Sequence, residues 1–160
     1  MTRNDLTELL SRTRAGMEQA IAGLTDAQMT QPGPAGEWSI KDILLHLSLW
    51  EAEMVKTLYQ AAHEQKPSTE IFNPEYLKVN DRWYAENKDR PLNFVLQDFR
   101  AVRLQLLRRL ADLNDDQLLK PGYYAWMDKN ALAGLVEDIC VGHEQEHIEQ
   151  ILAWRKTITT

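Results

Sequence analysis

The sequence contains few of the residues that mark several common classes of protein. Its single cysteine excludes an internal disulfide and any multi-cysteine zinc or iron–sulfur site. Seven glycines and six prolines are few for 160 residues, which favours long uninterrupted helices. No apolar run approaches the roughly eighteen residues that a membrane helix needs, so we expect no membrane partner. Lys and Arg number 18 against 24 Asp and Glu, and because the net charge is −6 we also expect no nucleic-acid partner.

What the chain does contain is enough apolar material for one core. It is 44% hydrophobic and has five tryptophans, and we expect residues 1–160 to form a single domain. The N-terminal segment MTRNDLTELL lacks the basic, apolar and small-residue order of a signal peptide. We therefore expect a cytoplasmic protein.

Apolar residues recur every three or four positions in four long segments, which is the spacing of a helix with one buried face. The predicted helices cover residues 2–23, 39–67, 91–113 and 132–158. Between the second and third, the segment 73–75 (Asn-Pro-Glu) opens a short extra helix that includes Val79. No segment alternates as a strand does. The sequence thus predicts an all-α four-helix bundle with a long crossover between helices two and three.

Two segments of the chain resemble each other. Residues 21–33 (IAGLTDAQMTQPG) and 110–122 (LADLNDDQLLKPG) share six of thirteen positions without a gap. The similarity favours two helical hairpins joined by the crossover, although Asp, Gln, Pro and Gly are also common at helix ends for reasons of turn chemistry.

Three of the four histidines fall on predicted apolar helix faces. His143 and His147 are four residues apart, so their Cβ atoms lie about 5–6 Å from each other on one face of the last helix. His46 lies on or beside the buried stripe of the second helix. Three converging imidazoles would suit a catalytic metal site for Zn, Ni, Cu or Fe with one open position. The alternative is that each is a core histidine hydrogen-bonded to backbone, a hydroxyl or a carboxylate.

Residues 143–147 also match H-E-x-x-H, the helix of zinc proteases in which the glutamate acts as general base. Only thirteen residues follow His147, so a third ligand has to come from upstream, and His46 is the candidate. Glu144 is accordingly a candidate catalytic base or a group supporting the ligands. A solvated helix acid is the alternative reading.

Taken together, these residues resemble the DinB/YfiT-like superfamily of bacterial four-helix-bundle proteins. The similarity rests on the segment 38–46 (WSIKDILLH) with Trp50-Glu51, and on the terminal His143-x-x-x-His147 followed by Arg155. The Leu-x-Asp-x-Gln loop at residues 24–28 and the connector 80–87 look especially like the ClbS/DfsB branch. The resemblance implies an antiparallel bundle, frequently dimeric, in which His46, His143 and His147 hold a divalent metal.

Activity follows less directly from the resemblance. Similar proteins include thiol-dependent S-transferases and isomerases that use bacillithiol or mycothiol, and self-protection proteins that disarm a reactive metabolite. We therefore expect a metal-dependent hydrolase or thiol S-transferase, related to detoxification or stress, with Zn or Ni and possible use of a low-molecular-weight thiol, acting on an electrophilic small molecule. The alternatives are a metal-independent or non-catalytic protein that captures a reactive metabolite and, third, an H-E-x-x-H metallopeptidase.

Further residues have two readings each. Val141, Ile148 and Leu152 form a second apolar stripe on the last helix, from which we expect a homodimer contact. Cys140 suits a small core residue better than a reactive thiol. The arginines of the third helix would make either a solvated face or a site for an anionic thiol: Arg100, Arg103, Arg108 and Arg109. The aromatic residues that could wall a pocket, or simply fill the core, are Trp50, Tyr123, Tyr124, Trp126 and Trp154.

Overall fold

A computed structural model describes residues 1–159. The helices are α1 (Arg3–Ile21), α2 (Asp26–Thr30), α3 (Ile40–Ala62), α4 (Tyr76–Asn87), α5 (Leu92–Ala111), α6 (Asp115–Leu119), α7 (Leu132–Glu137) and α8 (His143–Ile158). A π-helical segment, Asp138–Gly142, joins α7 to α8, and short 3-10 turns lie at Glu70–Phe72 and Ala125–Met127. Within this part of the chain, no helix has both the length and the apolar character required to cross a bilayer.

Four long helical rods form a bundle: α1, α3, α5 and the rod built from α7, the π-helical segment and α8. Helix α3 is the central one, since it packs along α5 and also contacts the π-helical segment and α8. Helix α1 packs against α8. The crossover from α3 to α5 carries α4. The predicted all-α four-helix bundle with a short extra helix in its crossover is therefore confirmed.

Capping boxes fix where several helices begin. Thr2 and Asp5 bond each other's backbone N–H groups at the start of α1, and Ser39 and Asp42 do the same at α3. The two similar segments also fold alike, since each starts a five-residue helix with a capping box, at Thr25 for α2 and at Asn114 for α6. These two short helices were missed by the periodicity argument because five residues are too few to show a period.

Two boundaries differ from the predicted ones. Helix α3 ends at Ala62 rather than near Pro67, because Glu64 turns the chain through a left-handed conformation with φ of 56°. The last predicted helix is interrupted by the π-helical segment, in which the backbone is locally widened. Neither the tight turn nor the widened turn changes the apolar spacing enough to be read from the sequence.

The second apolar stripe of the last helix has an explanation within the chain. Val141 is 7% exposed and belongs to a core cluster with Leu6 and Leu10 of α1. Ile148 lies over Gly16 of α1, where an added Cβ would be 3.6 Å from Ile148 Cδ1. The dimer contact expected from Val141 and Ile148 was thus wrong as an interpretation of the stripe, since only Leu152 stays exposed. Homodimer formation itself stays a prediction.

Candidate metal centre

The bundle brings the three predicted histidines together. His46 comes from the middle of α3, whereas His143 and His147 occupy the first turns of α8. One ring nitrogen from each lies within 4.8 Å of the others, and His46 Nε2 is 2.9 Å from His143 Nε2. His46 and His147 are buried, and His143 is partly buried. Their role as metal ligands stays a prediction.

Neighbouring side chains hold the imidazoles in place. The Nδ1 of His147 is 2.8 Å from Gln150 Oε1, and because an amide oxygen only accepts, Nδ1 carries the proton and Nε2 is left as an acceptor. The ring of His46 lies 4.9 Å from that of Trp38 and 6.4 Å from that of Trp50. Supports of this kind fix both the tautomer and the orientation of a ligating histidine.

The environment keeps the imidazoles uncharged. Burial, followed by the repulsion of His143 and His147, lowers the pKa of His46 to about 3. Burial, followed by the repulsion of His147, lowers the pKa of His143 to about 4, and burial also lowers the pKa of His147. Neutral imidazole is the form that ligates a metal, and three such nitrogens without a carboxylate suit Zn²⁺ or Ni²⁺ better than Mg²⁺ or Ca²⁺. The residues present therefore fit a divalent transition-metal ion.

A cleft of about 370 Å³ opens beside the cluster. His46 and His143 form part of its lining, and the crossover contributes the outer wall. The other lining residues are Trp50, Ile71, Asn73, Tyr76, Asn80, Ile139 and Glu146. Trp50 Nε1 donates to Asn80 Oδ1 at 2.9 Å, which orients the Asn80 amide. The arrangement is a small, largely apolar pocket with a few polar groups, as is usual for small-molecule sites.

Glu144 lies in a different place from the one that an H-E-x-x-H base would need. Its carboxylate accepts from Arg14 Nε at 2.9 Å and from Arg103 Nη2 at 2.6 Å. Glu51 pairs with the same two arginines, at 2.6 Å and 2.5 Å. We call these four residues the buried ion network. The role of Glu144 as a base stays untested, but the glutamate that lines the cleft is Glu146.

The buried ion network was missed at the level of sequence, although a signal was present. Arg14 lies four residues after Leu10 on α1, and Arg103 lies four after Phe99 on α5, so both fall on apolar stripes. Glu51 likewise falls on the apolar stripe of α3. A charge at a buried position requires a partner, and complementary charges on three buried faces could have predicted the network.

The network also reaches the π-helical segment. Arg103 Nη2 donates to the Cys140 carbonyl oxygen at 3.1 Å, and Arg103 Nη1 donates to the Leu10 carbonyl oxygen. Arg103 is 4% exposed, so the solvated-face reading was wrong for it. Arg100 pairs with Glu18, and none of the arginines of α5 lines the cleft.

The remaining candidates divide between pocket and core. Trp50 lines the cleft, but Tyr124 and Trp126 stack with ring centroids 5.0 Å apart in another part of the molecule. Trp154 is buried against the loop at Gly33. Cys140 is buried, and burial raises the pKa of its thiol well above the usual value, which suits a core residue better than a thiolate.

Comparisons with known proteins agree with this fold. A family model described as the DinB superfamily matches residues 9–151. A crystal structure of an uncharacterised protein from Escherichia coli UTI89 has a TM-score of 0.82 and 14% identity, covering 99% of this chain and 95% of that one. The colibactin self-resistance protein ClbS, in complex with a dsDNA, has a TM-score of 0.82 and 14% identity, covering 97% and 96%. A protein from Streptococcus pneumoniae has a TM-score of 0.81 and 11% identity, covering 98% and 91%. A search of curated proteins found no match.

One expectation needs correction. We excluded a nucleic-acid partner from the net charge of −6, but ClbS, a protein of similar fold, has been crystallised with dsDNA. The exclusion was wrong because net charge sums over the whole surface, whereas DNA contacts only the face that docks on it.

Proposed function

The chain belongs to the DinB superfamily, and we propose that it is a metal-dependent enzyme that acts on an electrophilic small molecule. The observation that carries this proposal is the cluster of His46, His143 and His147 beside a cleft of about 370 Å³. A cluster of three neutral imidazoles needs a reason, because burying three polar rings together is costly unless their lone pairs are used. A bound divalent ion would supply that use.

His46, His143 and His147 would hold the ion, either Zn²⁺ or Ni²⁺, through one ring nitrogen each. Such an ion supplies Lewis acidity at a coordination position left open for water, a thiol or the substrate. Gln150 keeps the proton of His147 on Nδ1, so that Nε2 is the nitrogen available for ligation. A hydrolase and a thiol S-transferase both use these features, and the second requires a low-molecular-weight thiol as co-substrate.

The cleft supplies the second requirement of the proposal, which is a place for a small molecule. Trp50, Ile71 and Ile139 give it an apolar wall that excludes water from a bound substrate. The Asn80 carbonyl oxygen already accepts from the Trp50 indole, so the Asn80 amide nitrogen is the group left to donate to a substrate acceptor.

A second candidate function is capture of a reactive metabolite without turnover. It is supported by the similarity in fold to ClbS, which is a self-resistance protein. Because that structure contains dsDNA, binding of a fluorescent DNA duplex to this chain belongs in the same set of measurements. The metallopeptidase reading has less support, since the Glu144 carboxylate is engaged by two arginines.

Metal content tests the leading proposal. We expect about one equivalent of Zn²⁺ or Ni²⁺ per chain by elemental analysis after incubation with the ion and desalting. His143→Ala should lose it, whereas the matched control His63→Ala should keep it, because His63 is exposed at the end of α3. Equal and negligible metal in the native protein and both variants would overturn the proposal.

Turnover separates the two candidate functions. An epoxide or activated halide is incubated with the metal-loaded protein, with and without a low-molecular-weight thiol. Many turnovers per chain that disappear in His143→Ala support the enzyme. Stoichiometric consumption that persists in His143→Ala supports metabolite capture instead.

A further inference from the structure

We propose that the cleft beside the three histidines selects small molecules that carry a positively charged nitrogen, and that Glu146 is the residue responsible. This inference rests on the proposed function in taking the cleft as the substrate site. It adds the charge class of the substrate, which the histidine cluster by itself leaves open.

The lining of the cleft has one ionised group. Of its nine residues none is lysine or arginine, and the only acidic one is Glu146. Both histidines of the lining are neutral, because burial keeps their pKa values far below 7. Among the ion pairs recorded for residues 1–159, none involves Glu146. Its charge is therefore uncompensated by a protein cation and available to a ligand.

The aromatic residues of the cleft have the same preference. Trp50 and Tyr76 line it, and Tyr76 is 54% exposed although it is a large aromatic residue. Aromatic rings attract ammonium groups through their quadrupole, with Trp the strongest. A carboxylate combined with tryptophan and tyrosine side chains is an environment that recognises a cationic nitrogen.

An anionic substrate would find no matching charge. Arg14 and Arg103 are saturated by Glu51 and Glu144 in the buried ion network. The arginines of α5 that could have met an anionic thiol do not line the cleft. A carboxylate or sulfonate in the cleft would meet Glu146 and no cation of the lining.

The test uses three thiols whose tetrahedral head groups have similar shape and different charge. They are thiocholine, which is cationic, 3,3-dimethylbutane-1-thiol, which is neutral, and 2-mercaptoethanesulfonate, which is anionic. Binding of each to Co²⁺-loaded protein is followed through the sulfur-to-cobalt absorption. For each probe we compare Glu146→Gln with the native protein, so that differences in thiol acidity cancel. Glu149→Gln is the matched control, because Glu149 is an exposed acid of α8 outside the cleft lining.

For unit charges about 6 Å apart at an effective dielectric constant of about 40–80, we expect Glu146→Gln to weaken thiocholine binding roughly three- to tenfold. The same change should leave the neutral thiol within about twofold and strengthen sulfonate binding by a similar three- to tenfold. Glu149→Gln should move no probe more than about twofold. Equal factors for all three probes in Glu146→Gln, or the same pattern in Glu149→Gln, would overturn the inference.

A metal-free measurement keeps this inference separate from the proposed function. The indole N–H resonance of Trp50 is titrated with choline and with its neutral isostere 3,3-dimethylbutan-1-ol. We expect choline to shift it at lower concentration than the isostere, and Glu146→Gln to remove the difference. If the protein takes up no Co²⁺ but shows this preference, the proposed function fails and the charge selectivity stands. If it takes up Co²⁺ without any preference, the reverse holds.

Discussion

Replacing Arg103 by methionine tests how the bundle is held together next to the histidines. Arg103 is 4% exposed and donates to Glu51 at 2.5 Å and to Glu144 at 2.6 Å. It also donates to the backbone carbonyls of Leu10 and Cys140. Methionine fills a similar apolar volume and removes every one of these bonds. The change therefore isolates the charge and its hydrogen bonds from the packing.

The expected cost is large because two carboxylates are left with Arg14 as their cation. Removing one partner of a buried ion pair costs about 3–5 kcal/mol, and a carbonyl left without a donor costs about 1–3 kcal/mol. Since these terms share one side chain and relax together, we expect a loss of about 4–6 kcal/mol in the free energy of unfolding. That is a large part of the roughly 5–15 kcal/mol of an ordinary domain.

Urea denaturation followed by circular dichroism measures this loss. Arg100→Met is the matched control on the same helix. Its pair with Glu18 is exposed, at 57% and 36% of the two side chains, so its loss should cost under about 1 kcal/mol. Adding Glu144→Gln to Arg103→Met removes the surplus negative charge and should recover part of the loss. A cost for Arg103→Met no larger than that of Arg100→Met, or no recovery in the double variant, would refute the reasoning.

Two further predictions concern pH and glycine. The metal-free protein should lose stability as the pH falls from about 6.5 towards 4, because unfolded imidazoles take up protons that folded His46, with a pKa of about 3, and His143, with a pKa of about 4, do not. In this window the unfolded state binds more protons, so stability rises with pH, and His46→Asn should flatten the slope of thermal midpoint against pH; an unchanged slope contradicts this. Gly33→Ala should lower the thermal midpoint, since φ is +143° and a Cβ would lie 2.5 Å from Trp154 Nε1, whereas Gly134→Ala, with open space on a helix, should raise stability by about 0.5–1 kcal/mol. Equal effects of the two alanines would contradict the structural distinction.

Much of the fold could be predicted from local pattern. Capping pairs such as Ser39 with Asp42 and apolar residues at helical spacing depend only on residues close in sequence, and those elements are where the pattern predicts them. The ends were less accurate. Helix α3 ends at Ala62 because Glu64 adopts a left-handed turn, which no local residue preference demands.

The candidate site shows the same division. Spacing predicted that His143 and His147 share a face and that His46 lies near the buried side of its helix, and the structure brings all three within 4.8 Å. It did not predict which acid faces the cleft. The motif pointed to Glu144, but the rotation of α8 beside the π-helical segment turns that side chain to Arg14 and Arg103. Glu146 lines the cleft instead.

The sequence by itself determined the helices, their caps and the faces on which the histidines and the buried charges lie, because each of these follows from a period of 3.6 residues. Only the tertiary structure decided what those faces meet. Ile148 packs on Gly16 rather than on a second copy, and Arg103 reaches the carbonyl of Cys140. The physical reason is that helical periodicity fixes the direction of a side chain within its own helix, whereas its partner depends on how the helices pack against one another.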